Sequence, residues 1–326
     1  MGIFPVTVVS RERYVERKEL LKMTYIQGNP LKQGDKIGLT APAGPVSEEK
    51  LNEAISVIKE MGFDLEVGLT CYQNFGGYLA GPPELRANEL NHMFANPEIT
   101  AIFCLRGGYG SAQILPLLNY DMISQHPKHF IGYSDITALH IALQQRSKLA
   151  TIHGPMPASD LIGASDFTKQ SFLHTLIASK SLEIDNPPHE KMDYLVPGEA
   201  RGVITGGNLT VITSLLGTPF EIETAGKILF LEDIGEEPYR IDRMLTQLAL
   251  SGKLQEAEGF ILGSWTGCTT ENKEAFTVED LFRQIIVPFG KPTICNLRAG
   301  HCKPSVTLPF GREVFMQAEE GLICIH

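Results

Sequence analysis

The sequence predicts an α/β protein built on a parallel sheet, and three stretches carry that prediction. Lys36-Ile-Gly-Leu-Thr40 reads as a buried strand, Ser47 to Gly62 as a helix and Phe63 to Val67 as a second strand, which together form a β-α-β unit. Ile99-Thr-Ala-Ile-Phe-Cys-Leu105 is a strand apolar enough for the middle of a sheet, and it runs directly into Arg106-Gly-Gly-Tyr-Gly-Ser111 and a helix from Ala112 to Leu118. In Phe130-Ile-Gly-Tyr-Ser-Asp-Ile-Thr-Ala-Leu-His140 the pattern recurs: a short apolar run, a sharp turn carrying Ser134, then Ile136, Leu139 and Leu143 at helical spacing.

The other elements follow in order. Ala41-Pro-Ala-Gly-Pro45 forces a loop after the first strand. Ser47 is placed to cap the next helix, Glu48 and Glu49 suit its dipole, and Leu51, Ile55 and Ile58 make its apolar stripe. Tyr72 to Pro83, rich in glycine, proline and aromatics, reads as a surface loop able to line a site. Glu84 to Ala95 is helical by the spacing of Leu85, Leu90, Met93 and Phe94, with Pro97 just beyond. Ala150-Thr-Ile-His-Gly154 resembles another strand end. From Pro155 to Pro197 the pattern is irregular, with one helix within Asp160 to Lys180 and linker-like Asn186-Pro-Pro-His189.

The second half opens with Ala200 to Thr205, Gly206-Gly-Asn-Leu-Thr210 and a helical stripe of Leu209, Ile212 and Leu216. Lys227-Ile-Leu-Phe-Leu231 is a strand ending in the acidic turn Glu232-Asp-Ile-Gly-Glu-Glu237, and Tyr239 to Leu250 is an amphipathic helix. Phe260 to Gly263 and Pro292 to Cys295 read as strands around a helix from Val278 to Val287, with closing β structure at Val306 to Pro309 and Glu313 to Gln317.

With 326 residues, the chain is long enough for two domains, and 43% apolar and 20% charged residues are the balance of a soluble globular protein. The net charge of −10, from 38 acidic and 28 basic residues, argues against a general binder of nucleic acid or anionic membrane. The six cysteines contain no Cys-x-x-Cys pair, so neither a zinc knuckle nor a thioredoxin motif is indicated and a cytoplasmic protein is expected. No apolar run approaches the roughly 18 to 20 residues that span a bilayer. Phe4 to Val9 is short and is followed by the charged stretch Arg11 to Lys22, unlike a signal peptide. Residues 1–29 are expected to be an N-terminal extension, 30–160 a domain carrying the nucleophile, 161–198 a linker and loop region, and 199–326 a C-terminal domain.

Three segments place a reactive side chain at a strand or loop end: Ser134, Glu232 and His301. A serine hydroxyl becomes nucleophilic when a histidine takes its proton, and a buried carboxylate can orient that imidazole. Taken singly, each has a plainer reading. Ser134 suits a helix N-cap, and position 136 is Ile where the Gly-x-Ser-x-Gly elbow has glycine. Glu232 suits a solvated or capping carboxylate, and His301 an exposed or structural histidine. The loop from Arg106 to Gly110 lacks the glycine that a dinucleotide fingerprint needs at position 113, where the chain has Gln, and no Walker sequence occurs. It reads as a tight turn or as an oxyanion hole using the N–H of Gly108. Arg106 is open to holding a substrate carboxylate or to a structural ion pair. His126, His129, His140, His153 and His174 form no His-Glu-x-x-His, so no metal is expected.

Gly132-Tyr-Ser-Asp-Ile-Thr-Ala-Leu-His140, with Arg106-Gly-Gly-Tyr-Gly110 before it and Leu231-Glu-Asp-Ile-Gly-Glu-Glu-Pro-Tyr-Arg-Ile-Asp-Arg-Met-Leu245 after it, resembles the LD-carboxypeptidase family of serine peptidases. Thr40-Ala-Pro-Ala-Gly44, His153-Gly-Pro155, Gly206-Gly-Asn-Leu209, Gly300-His301 and Leu308-Pro-Phe-Gly311 extend the likeness over most of the chain. The resemblance implies a Rossmann-like N-terminal α/β domain, a β-rich α/β C-terminal domain with the site between them, and a homodimer without cofactor. It implies a triad of Ser134, Glu232 and His301, with an oxyanion hole from the N–H groups of Gly108 and Asp135. The implied reaction removes terminal D-alanine from an L-centre in cytoplasmic muropeptides during cell-wall recycling. A sister branch, the microcin C immunity peptidases, implies an alternative, cleavage of peptidyl or aminoacyl nucleotide amides. A binder of small anionic ligands without catalysis is a third reading. Cys302 beside the histidine and the residues before 23 depart from the family pattern and bear on substrate preference.

Overall fold

The computed structural model describes residues 25–178 and 181–326, so most of the expected extension lies outside the described residues. Within them the chain forms two compact units, 25–178 with 303–311, and 181–302 with 312–326. No described helix is long and apolar enough to cross a membrane.

The first unit is built on β1 (Lys36–Thr40), β2 (Asp64–Val67), β3 (Ile99–Cys104), β4 (His129–Gly132), β5 (Thr151–His153) and β12 (Leu308–Phe310). Their order is β12-β5-β4-β3-β1-β2, parallel except where β12 pairs with β5. The five parallel strands thus run 2-1-3-4-5, a doubly wound order whose direction of winding reverses between β1 and β3. Local sequence sets the connections. Ser47 accepts from Lys50 N and starts the helix Glu48–Glu60, and Pro83 opens the helix Pro83–Ala95. Helix Asp166–Ile177, capped by Ser165, inserts Phe172 against Phe103 in an edge-on contact at 5.5 Å between ring centroids.

The second unit carries β6 (Leu182–Glu183), β7 (Asp193–Val196), β8 (Glu199–Asn208), β9 (Lys227–Ile234), β10 (Gly259–Thr266), β11 (Thr293–Cys295), β13 (Glu313–Gln317) and β14 (Leu322–Ile325). The order is β6-β14-β13-β8-β9-β10-β11-β7, with β8 to β11 parallel and the flanking pairs antiparallel. This is a β-rich mixed sheet with a buried parallel centre. Leu229, Phe230, Leu231, Phe260, Ile261 and Leu262 at that centre are all fully buried.

Two stretches differ from the sequence expectation. The segment 161–198, expected as a linker and loop region with one helix within Asp160 to Lys180, has that helix at Asp166–Ile177, which contributes Phe172 and Leu176 to the first core, and also supplies β6 and β7 to the second sheet. Both strands are short edge strands of mixed polarity, which give weak periodicity. Residues 303–311, expected within the C-terminal domain, return to the first unit. There Phe310 is fully buried against the rings of His140 and His153, at 5.7 and 5.2 Å.

Burial pushes the imidazoles of His129 and His140 down to about 4. The ordinary histidine value, about 6.5, applies once the chain unfolds, so the unfolded state takes up these protons first and folding stability falls as pH drops from about 6.5 to 4. At pH 4.5 each group is expected to cost the first unit about 2–3 kcal/mol relative to pH 8. Urea unfolding across that range should show the loss. The imidazole resonances of both residues in the folded protein should stay unshifted from pH 8 to 5.5, and titration near 6.5 would contradict the prediction.

Candidate active site

In the first unit the loops that leave β1 and β3 stand at the carboxyl ends of the strands where the winding reverses, the crevice position at which doubly wound sheets hold their ligands. Gly44 N donates to Gly107 O across it at 3.1 Å. Next in the sheet is β4, and Ser134 follows it after one extended residue, Tyr133. Ser134 has φ +64°, a left-handed conformation that costs a non-glycine residue about 1–3 kcal/mol. It does not cap the helix that follows: Ser134 opens a short 3-10 turn, Ser134–Ile136, capped at Tyr133, and the cap position of the helix Thr137–Ser147 is Ile136, with no side-chain capping bond at either. The turn is instead a strained strand-to-helix elbow that lifts the hydroxyl out of the backbone ladder. Gly132 supplies the space for it, because a Cβ there would stand 2.9 Å from Cγ2 of Ile136, the residue found where a second glycine was expected.

The glycine loop reaches the same turn. A Cβ on Gly107 would lie 2.8 Å from Cβ and 3.0 Å from Oγ of Ser134, so only glycine permits this approach. Gly108 has φ +117°. Among the described residues the N–H groups of Gly108 and Asp135 have no protein acceptor, the state an oxyanion hole requires. The Asp135 side chain has a second task, accepting from Ser111 N at 2.8 Å and tying the elbow to the far end of the glycine loop. Burial raises the Asp135 pKa, opposed by that hydrogen bond and by the Arg86 charge.

Arg86 is the residue sequence reading passed over. Its fully buried guanidinium donates from Nε to Gly81 O at 2.9 Å, from Nη1 to Pro42 O at 2.7 Å and Gly110 O at 2.8 Å, and from Nη2 to Gln113 Oε1 at 2.6 Å. One side chain thus fixes three loops around the crevice. A signal was available: Arg86 shares a helical stripe with Leu90 and Met93, an unusual place for a charge. Arg106 is exposed, donates to Pro45 O at 3.0 Å and makes no ion pair among the described residues.

In the second unit, Glu232 and Asp233 end β9 on opposite faces, and both are buried. Asp233 is consumed by structure, accepting from Asn208 Nδ2, Thr210 N, Thr210 Oγ1 and Ile234 N, all at 2.8–2.9 Å. Glu232 Oε2 lies 2.7 Å from His301 Nδ1 and accepts from His301 N at 3.3 Å. A carboxylate only accepts, so Nδ1 carries a proton, and in the neutral imidazole Nε2 is then the basic nitrogen, the tautomer of a general base. His301 is fixed from behind by Thr266 Oγ1, which donates to its carbonyl at 2.5 Å. Gly300 has φ +99°, and a Cβ there would stand 2.5 Å from Glu232 Oε2. The outer acids fit the solvated reading, with Glu236 paired to Arg240 at the surface.

The sequence-predicted residues therefore form two groups, Ser134 with Gly108 and Asp135 in the first unit, and Glu232 with His301 in the second. Gly300→Ala should break the second group while the sheet survives. The expected result is loss of the downfield proton resonance of His301 Nδ1–H, with a drop in stability of about 1–3 kcal/mol; an unchanged resonance would contradict the geometry.

Two family models match the chain, described as the LD-carboxypeptidase N-terminal domain over residues 37–154 and the LD-carboxypeptidase C-terminal domain over residues 201–316. A relative from Bacillus subtilis (strain 168) named "Probable murein peptide carboxypeptidase" is 40% identical over 91% of this chain and 93% of its own. The solved muramoyltetrapeptide carboxypeptidase of Oxalobacter formigenes is 29% identical with a TM-score of 0.77, over 89% of this chain and 97% of that one. The microcin C7 self-immunity protein MccF of Escherichia coli is 29% identical over 91% of this chain and 94% of its own. MccF solved in complex with glutamyl sulfamoyl guanosine has a TM-score of 0.84 at 25% identity, over 92% of this chain and 98% of that one. With both halves matched and a relative at 40% identity across nearly the whole length, the chain belongs to the LD-carboxypeptidase family.

Proposed function

We propose that this protein is a serine LD-carboxypeptidase that releases terminal D-alanine from murein peptides through an acyl-enzyme. The observation that carries the reading is the buried Glu232–His301 hydrogen bond, which orients the imidazole and assigns its Nδ1–H to the carboxylate, so that Nε2 is the nitrogen that takes a proton. Ser134 Oγ attacks the carbonyl of the L,D bond as His301 Nε2 takes its proton. The oxyanion is held by the N–H groups of Gly108 and Asp135. Collapse expels D-alanine, whose amine takes the proton from His301. Water, deprotonated by the same imidazole, then hydrolyses the ester to regenerate Ser134 and release the shortened peptide. The murein peptide substrate is supported by the names of the relatives from Bacillus subtilis and Oxalobacter formigenes. A cytoplasmic location and a homodimer belong to the same proposal and rest on the family resemblance.

A second reading is favoured by MccF and its complex with a glutamyl sulfamoyl nucleoside, namely cleavage of peptidyl or acyl-sulfamoyl nucleotides by the same residues. A panel of both substrate types followed by mass spectrometry separates the two readings. Loss of one alanine from an L,D-linked tetrapeptide is expected, and preferential cleavage of the nucleotide would favour the second reading. Binding of the tetrapeptide without turnover would instead mark a non-catalytic binder.

Ser134→Ala should lower kcat by roughly 1,000-fold or more, and Glu232→Gln by roughly 100- to 10,000-fold with little change in KM, since the carboxylate acts on the imidazole. Unchanged turnover in Ser134→Ala would sink the assignment. Chelators should leave the rate unaltered, because no step draws on a metal.

A further inference from the structure

The helix Pro83–Ala95 carries two charged side chains one turn apart, Arg86 and Glu89, on the face toward the loops at the carboxyl end of the first sheet. The proposed reaction makes no use of Glu89. Its Oε1 accepts from Thr40 Oγ1 at 2.6 Å and from Thr70 Oγ1 at 2.5 Å, and its Oε2 accepts from Thr70 N at 3.0 Å. The two hydroxyl contacts fall in the range of charge-assisted bonds, about 2.5–2.7 Å. Thr40 ends β1, Thr70 lies in the short 3-10 turn Leu69–Tyr72 after β2, and both are fully buried. Gly68 leaves room for the carboxylate, since a Cβ there would stand 2.3 Å from Glu89 Oε1.

A carboxylate only accepts, so both hydroxyls aim their protons at it and turn their lone pairs away. For Thr70 that lone pair takes the N–H of Ala41 at 2.9 Å. Glu89 therefore sets which way Thr70 Oγ1 faces, and through it the path of the chain as it leaves β1. The next residues are held one by one: Pro42 O accepts from Arg86 Nη1 and Ala43 O from Ala80 N. Gly44 then meets the glycine loop. Its N–H donates to Gly107 O at 3.1 Å, and a Cβ on Gly108 would lie 3.2 Å from Gly44 Cα, so Gly108 rests on the backbone of Gly44. The Gly108 N–H is a donor of the proposed oxyanion hole, and such a donor acts on the transition state only when it is already aimed at the developing charge, about 2.7–3.1 Å away.

We propose that Glu89 is a positioning residue for the oxyanion loop, acting through Thr70 and the segment 40–44 on the N–H of Gly108. The proposal rests on the serine-peptidase reading and deepens it. Glu89 meets neither substrate nor Ser134, and its effect falls on kcat and not on KM.

Two readouts on the full chain test it: kcat and KM for an L,D-linked tetrapeptide, and the rate at which a fluorophosphonate labels Ser134, followed by mass spectrometry. In the labelling, Ser134 Oγ displaces fluoride from phosphorus, His301 takes the proton and the phosphoryl oxygen occupies the oxyanion hole, so peptide specificity does not enter. Glu89→Ala should lower kcat and the labelling rate about ten-fold or more, with KM changed by less than about two-fold. Thr70→Val keeps the shape without the hydroxyl and should give a similar loss, and the double variant should lose little beyond either single one. Thr70→Ser, which keeps the hydroxyl, should retain most of the rate. Asn91→Ala cuts a different tie of the same helix, to Leu117 O and Asn119 N, and should lower the melting temperature without slowing the labelling. Unchanged rates in Glu89→Ala overturn the proposal. So do a raised KM at constant kcat, additive losses in the double variant, or equal slowing by Asn91→Ala. If Glu89→Ala does not fold, the contrast between Thr70→Val and Thr70→Ser decides: equal rates overturn the proposal. A wild-type chain left unlabelled at Ser134 overturns the serine-peptidase reading and the proposal with it. Labelling without cleavage of the tetrapeptide overturns the carboxypeptidase reading alone, and the labelling rates still decide the role of Glu89.

Discussion

A fully buried carboxylate is tolerated only with a partner that satisfies it, and removing such a partner costs several kcal/mol. Glu232 meets this condition at Oε2, where it draws in His301 through both the ring and the backbone N–H, while Oε1 has no hydrogen-bond partner among the described residues. Much of the local structure serves that contact. Gly300 is glycine because any side chain would strike the carboxylate. Ala299 O takes the N–H of Ser264, and Thr266 holds the carbonyl of His301, so the loop after β11 is laid along β10. The neighbouring Asp233 shows the alternative outcome, with four donors anchoring backbone and side chains and little capacity left for chemistry.

The first unit solves a different problem, that of holding a strained serine. A left-handed Ser134 persists only because its surroundings over-determine it. Ile136 packs over Gly132, Tyr133 donates to Asp160 at 2.9 Å, and His140 reaches back to Gly132 O at 2.8 Å. Asp135 ties the elbow to the glycine loop, which Arg86 in turn ties to two further loops. The same contacts that present the hydroxyl also fix the glycine loop, so the elbow and that loop share one support.

Much of this was legible in the chain. Strands β1, β3, β4 and β9 are short, strongly apolar and followed by glycine or acidic turns, so their positions stood out without tertiary knowledge. Ser134, Glu232 and His301 were legible as reactive types at strand and loop ends, and the family resemblance joined them into one proposal. The edge strands β6 and β7 and the return of 303–311 were not legible. Edge strands bury little and so carry little periodicity, and the pairing of β12 with β5 depends on a partner more than 150 residues earlier.

The sequence by itself determined the central strands and the main helices, where glycine allows close approach, and which residue types could carry acyl transfer. These are local properties, written in periodicity and in the steric limits of each residue. Only the tertiary structure decided that Ser134 adopts an elbow and caps no helix, that Glu232 and not Asp233 meets the histidine, and that Arg86 supports the loops around the crevice. Each is a choice between chemically similar neighbours, or between two conformations of one residue. Such choices are settled by which groups the packed sheets leave without a hydrogen-bond partner.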